Sequence, residues 1–183
     1  MKKTITFLLI FIKIQVLFSQ EDEIIPTKFI QNGFLNLDYV SVKMPLNDFG
    51  NPEINMGLTG IHYNLLLNKS VYAGLGFYGS VNGERGGLFT LGINLGIKKT
   101  ITDKLFIDTG FHFGGGGGAG AKDGGGAFIL PHVNLGYQFK KFSTTLGYSY
   151  FNFFDKGNIT SSQLRVGIQI PLSYEYTNFK NRG

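Results

Sequence analysis

The stretch LFTLGINLGIK, residues 88 to 98, repeats with a period of two. Phe89, Leu91, Ile93, Leu95 and Ile97 fall on one side of an extended chain, and Thr90, Gly92, Asn94, Gly96 and Lys98 fall on the other. Such alternation over ten or more residues specifies β-strands. KLFIDTGFHF (104–113) and LRVGIQIPLSYEY (164–176) repeat the pattern. In the first, Phe106, Asp108, Gly110 and His112 oppose Leu105, Ile107, Thr109, Phe111 and Phe113; in the second, Arg165, Gly167 and Gln169 oppose Leu164, Val166, Ile168 and Ile170. These runs are about twice the 5–6 residues of an ordinary soluble strand. They match the 9–11 residues that cross a bilayer at a tilt.

Eight segments carry the pattern: 33–43, 54–67, 70–81, 87–98, 104–114, 127–140, 142–154 and 163–176. Short connections at 68–69, 100–103 and 140–141 alternate with longer ones at 44–53, 82–86, 115–126 and 155–162. Short periplasmic turns alternating with longer external loops are the pattern of a barrel in an outer membrane. The glycine-rich stretch GGGGGAGAKDGGG then becomes the third and longest external loop. A phosphate-binding loop would need a helix after the glycines. Instead the glycines lead into AFILPHVNLGYQF, which alternates as a strand, and Pro131 is hostile to a helix interior.

Which face meets lipid can be read from composition. The small and polar parity holds Gly74, Gly76, Gly92, Gly96, Gly110, Gly136, Gly147 and Gly167, mixed with Asn64, Thr145, Ser149 and Gln169. Glycines and amides cannot build a water-excluding core, because buried polar groups without partners are costly. A small barrel can turn them inward, where side chains from every strand must share a narrow lumen. Tyr63, Tyr137, Phe139, Phe142, Tyr174 and Tyr176 gather near one rim, and Phe77, Phe89, Phe111, Phe113, Tyr150 and Phe154 near the other. Two aromatic girdles are expected of such barrels. Lys69, Lys98, Lys99, Lys104, Lys140 and Lys141 crowd the short-turn rim, as anchors to anionic headgroups or as solvated turn residues.

The N-terminus, MKKTITFLLIFIKIQVLFSQEDE, has a basic start, a short apolar stretch and a small Ser19 before an acidic run. This pattern is expected of a cleavable signal peptide, over residues 1–20. The apolar stretch is too short for a spanning helix, and Lys13 interrupts it. Loss of Lys2, Lys3 and Lys13 leaves fourteen basic against twelve acidic residues, so the formal charge falls from +5 to +2. That is no footprint for nucleic acid. The chain has no cysteine, which excludes disulfides and thiolate metal sites. The expected organisation is a periplasmic segment at 21–32, a single barrel at 33–176 and a tail at 177–183.

Leader, strand count and girdles together resemble the small outer-membrane barrels of Gram-negative bacteria, the OmpA/OmpX-type architecture. The resemblance covers residues 33–176 as a pattern rather than as a matched sequence. It implies an all-β fold: an eight-stranded, antiparallel, up-and-down transmembrane β-barrel located in the cell outer membrane. Its partners would be outer-membrane lipid and the barrel-insertion machinery. Arg165, Gly167, Ile170 and Leu172 look like the assembly signal that this machinery reads in a closing strand. The tail NFKNRG beyond Tyr176 departs from the pattern, because these proteins often end on the aromatic itself.

Few residues point to chemistry. His62, His112 and His132 all lie on the inward parity, with Asn94, Asp108, Asn134 and Arg165. The expectation is a packed lumen network. A sharper reading sets His132 near Ser149 with Asp108 one strand away, the ingredients of acyl transfer. Outer-membrane lipid A deacylases, which this chain resembles in size and strand count, carry a His-x-Ser pair. Here the residues two beyond each histidine are Asn64, Gly114 and Asn134, so that pair is absent. The histidine spacing shows no metal-ligand motif, and no cofactor is expected. The sequence is therefore read as a non-enzymatic barrel with a structural or surface-interaction role. Its external contacts, including a protein partner, would use the glycine-rich third loop and the Phe-rich region from Phe151 to Asn158. Rival readings are a lipid A-modifying enzyme, a narrow carrier of small apolar molecules and an accessory subunit of an outer-membrane complex.

Overall fold

The computed structural model describes residues 27–47, 49–84, 87–118, 126–154 and 159–177. The expected signal peptide and most of the C-terminal tail lie outside the described residues. Eight strands succeed one another: β1 (Lys28–Val42), β2 (Met56–Leu66), β3 (Val71–Asn82), β4 (Phe89–Thr100), β5 (Leu105–Gly117), β6 (Gly126–Gln138), β7 (Ser143–Phe153) and β8 (Thr160–Thr177). Each pairs with its sequence neighbours, and β8 returns to β1 to close a barrel. Every register between consecutive strands is antiparallel. Closure satisfies the backbone groups that an open sheet edge would leave bare in lipid. The barrel belongs to the compact unit Ile30–Glu175, and the described residues 27–29 and 176–177 fall in a second, small unit.

Leu75, Leu91, Ile97, Leu135, Leu146 and Leu164 stand on the outer surface, exposed. Both expected girdles lie on that same face: Tyr63, Tyr137 and Phe139 at the short-turn end, Phe89, Phe113 and Phe154 at the other. In water this belt would be an aggregation surface; in a bilayer it is solvated by acyl chains.

Three features differ from expectation. β1 starts at Lys28, so residues 28–32 of the expected periplasmic segment are strand. The reason is local: Phe29 stacks on Tyr176 of β8, with ring centroids 5.6 Å apart, so the two terminal strands run on together. Second, β5 continues through Gly117, and Gly115 and Gly116 pair with β4 and β6. The start of the expected third loop is thus strand. The glycines permit this close approach, since a Cβ on Gly116 would run into the Phe89 carbonyl; residues 119–125 lie outside the described residues.

The third difference concerns the fourth loop. Phe151 and Phe153 do not face a partner; they belong to β7 and are buried inside the barrel. They join Val40, Val42, Met56, Leu58, Tyr78, Phe128, Leu130 and Ile159 in one apolar cluster that fills the long-loop end of the lumen. Phe128 stacks on Phe151 at 5.0 Å and on Phe153 at 5.6 Å. Residues 155–158 of that loop lie outside the described residues. Packing in this cluster explains why large rings occupy positions whose parity reads as lumen: eight strands leave a bore that side chains just fill.

Candidate functional site

Below the apolar cluster the lumen turns polar, because each strand brings its small or hydrophilic parity to the same level. Asn36 and Asp38 come from β1, His62 and Asn64 from β2, Asn94 from β4, Asp108 and His112 from β5, and Arg165 from β8, all buried. Glycines make the room. The His62 imidazole sits where a side chain on Gly76, its partner on β3, would have to stand.

Two carboxylates organise this layer. Asp38 Oδ2 accepts hydrogen bonds from Asn36 Nδ2 at 3.0 Å, from Tyr78 Oη at 3.2 Å and from Arg165 Nη2. Its Oδ1 lies 3.5 Å from His62 Nε2. Since Asp38 is on β1 and Arg165 on β8, the ion pair bridges the strands that close the barrel. The second centre is Asp108. Its Oδ1 accepts from Tyr72 Oη at 2.8 Å and lies 3.6 Å from His132 Nε2, while its Oδ2 accepts from Gln169 Nε2 at 2.7 Å. His112 Nδ1 meets Asn94 Oδ1 at 2.7 Å, which places a proton on that nitrogen.

Of the residues singled out in the sequence, Arg165 and Asp108 hydrogen-bond within these two centres, His62 and His132 stand 3.5 and 3.6 Å from their carboxylates, and His112 pairs with Asn94; neither His62 nitrogen has a hydrogen-bond partner among the described residues. Asn134 faces the lumen as expected, but its Oδ1 has no hydrogen-bond partner among the described residues. Asp38, Tyr72 and Tyr78 were missed. The parity of LNLDYV, with Asn36 and Asp38 alternating against Leu35, Leu37 and Tyr39, was the signal that could have found Asp38.

The acyl-transfer constellation forms only in part. His132 and Ser149 are register partners across β6 and β7, and Asp108 approaches His132. Yet Ser149 Oγ accepts its hydrogen bond from Gln163 Nε2 at 3.1 Å, and no His132–Ser149 hydrogen bond forms among the described residues. A nucleophile needs its base within about 2.6–3.2 Å. The cavity beside Asp108 and His132 measures about 10 Å³, room for about one water.

At the short-turn end the lumen opens into a cavity of about 220 Å³. Lys98 lines it, which corrects the expectation of a headgroup anchor on the outside. Lys98 is the register partner of Asp108 and points inward with it. Its Nζ donates to Gln169 Oε1 at 2.8 Å and lies 3.9 Å from the centre of the Phe106 ring.

No protein-family description matches the chain, and neither does any curated protein. Solved structures do match. The N-terminal β-barrel domain of OprF from Pseudomonas aeruginosa is 12% identical, with 79% of this chain and 100% of that one covered and a TM-score of 0.50. Neisserial surface protein A is 10% identical over 79% of this chain and 98% of its own, TM-score 0.49. Ail of Yersinia pestis in a phospholipid nanodisc is 12% identical over 78% and 99%, TM-score 0.49. At such identities the likeness is one of fold. The chain is an eight-stranded, closed, antiparallel barrel of the small outer-membrane type.

Proposed function

We propose that this protein resides in the outer membrane as a non-enzymatic barrel and acts through its external loops rather than through its lumen. The observation that carries the reading is the filled bore. The apolar cluster closes the long-loop end, and the Asp38–Arg165 and Asp108 centres occupy the middle. A carrier of apolar molecules would need a continuous cavity, and the enclosed space at mid-lumen is about one water in size. Lipid A chemistry is disfavoured by the same enclosure, since His132 and Ser149 face inward and away from acyl chains.

Among the described residues, the surface offered outside is best developed in the β1–β2 connection. Leu46 and Pro52 form a β-bridge, and Asn47 Oδ1 accepts from the backbone N–H groups of Phe49 at 3.0 Å and Asn51 at 2.9 Å. This holds Phe49 at the tip with 89% of its surface exposed. An ordered aromatic of that kind is a natural anchor for a partner's pocket. Arg165, Gly167, Ile170 and Leu172 serve as the assembly signal in this reading. They place two residues inward and two on the lipid side of β8.

A photoreactive amino acid at position 49, in intact cells, is expected to yield one discrete cross-linked protein, and illumination without any such product would count against the loop reading. Mass spectrometry of lipid A addresses the enzymatic alternative. Cells lacking the gene and cells carrying His132→Ala should both keep the parental acyl pattern; the same alteration in both would make His132 catalytic.

A further inference from the structure

We propose that the cavity at the short-turn end is an oxyanion site, with Lys98 as its fixed positive charge. Three observations converge there. The first is preorganisation. Lys98 Nζ is set between two aromatic rings, 3.9 Å from the centroid of Phe106 and 5.1 Å from that of Phe34. It donates one hydrogen bond, to Gln169 Oε1. The Gln169 amide cannot turn over, because its Nε2 is held by Asp108 Oδ2. A lysine on a solvated turn samples many rotamers, whereas this one is held in place before any ligand arrives.

The second observation is charge. An ammonium has three donors; among the described residues one is taken by Gln169, while the Phe34 and Phe106 rings lie over the same nitrogen. Asp108, the nearest carboxylate in the register, has both oxygens engaged by Tyr72 and Gln169, and no Lys98–Asp108 ion pair forms among the described residues. Among the described residues the cavity lining holds Lys98 and Lys69 and no carboxylate. The third is space. About 220 Å³ accommodates a phosphate-sized group with several waters, each of which takes about 30 Å³. The ring faces of Phe34 and Phe106 hold the ammonium by cation–π contact and so fix where the positive charge stands. The ligand class is a phosphate or carboxylate group reached from the short-turn side, either on a free solute or on a lipid headgroup.

The test uses the refolded protein in an uncharged maltoside detergent, ¹⁵N-labelled and titrated with inorganic phosphate at constant ionic strength against chloride. Saturable shifts are expected at the amides of Lys98, Ser143 and Gln169, with Leu130 and Phe151 unmoved. Lys98→Gln keeps a donor for Gln169 but removes the charge. It should weaken binding about tenfold or more, the worth of a charge-assisted hydrogen bond, while Lys98→Arg retains it. Unmoved Leu130 and Phe151 resonances in the variants certify that the fold survives. Shifts that never saturate, or equal affinity in Lys98→Gln, would overturn the proposal. Nanodiscs then separate the sources: loss of phosphate binding in phospholipid nanodiscs relative to the phosphate-free maltoside assigns the oxyanion to the headgroup, and binding kept in phosphatidylcholine and phosphatidylglycerol nanodiscs alike assigns it to a free solute.

Discussion

At the scale of single residues, the ion pair between Asp38 and Arg165 dominates. Both side chains are buried, and three further groups converge on the carboxylate. Burying either charge alone is expensive, so removing one partner hurts more than removing both. Asp38→Ala is expected to cost about 3–5 kcal/mol, read as a lower urea midpoint for loss of the fast-migrating unboiled band on gels. Asp38→Asn combined with Arg165→Met should recover most of that loss; a double variant as weak as the single one would show that the pair itself is strongly net stabilising. Arg165 was legible in the sequence as an inward residue. Its partner was harder to find, because the two lie 127 positions apart and only closure of the barrel makes them neighbours.

At the scale of elements, period two located all eight strands, and their ends moved by no more than a few residues except at β1. What the pattern could not show was a defect in one ladder. Pairing between β6 and β7 runs without slippage, yet it stops after Ile129–Asn152 and resumes at His132–Ser149. Pro131 stands in the gap. It has no N–H to donate, and proline is rare in paired strands for that reason. The β5 side is undisturbed, with Phe111 opposite Pro131. Pro131→Thr should therefore restore the missing ladder contacts and slow amide hydrogen exchange at Tyr150 and Phe151. Unchanged exchange at both would mean that something other than the missing donor holds the strands apart there.

At the scale of the whole molecule, two layers shut the bore in series, apolar at the long-loop end and polar in the middle. Phe128→Ala is expected to cost about 3–5 kcal/mol through the cavity it leaves. It should leave planar-bilayer recordings silent, because the Asp38 and Asp108 centres still close the passage. A steady channel in that variant would make the apolar layer the sole barrier. The polar layer was legible from glycines and amides sharing one parity. The apolar layer was harder to see, because AFIL at the start of β6 is apolar on both parities and the rings of YFNFF, running from β7 to Phe154, fall on both. Within such stretches alternation alone does not choose a direction; the flanking residues do, since Phe128 and Leu130 share the parity of His132, and Phe151 and Phe153 that of Ser149.

The bridge between the first and last strands also bears on how the chain is made. Synthesis delivers the N-terminal half first, so Asp38 is present long before its cation, which arrives with the closing strand. A nascent or truncated chain lacking β8 carries a carboxylate that cannot enter a dry interior cheaply. A chain ending before β8 is therefore expected to insert and fold poorly, because Asp38 would enter the barrel without Arg165.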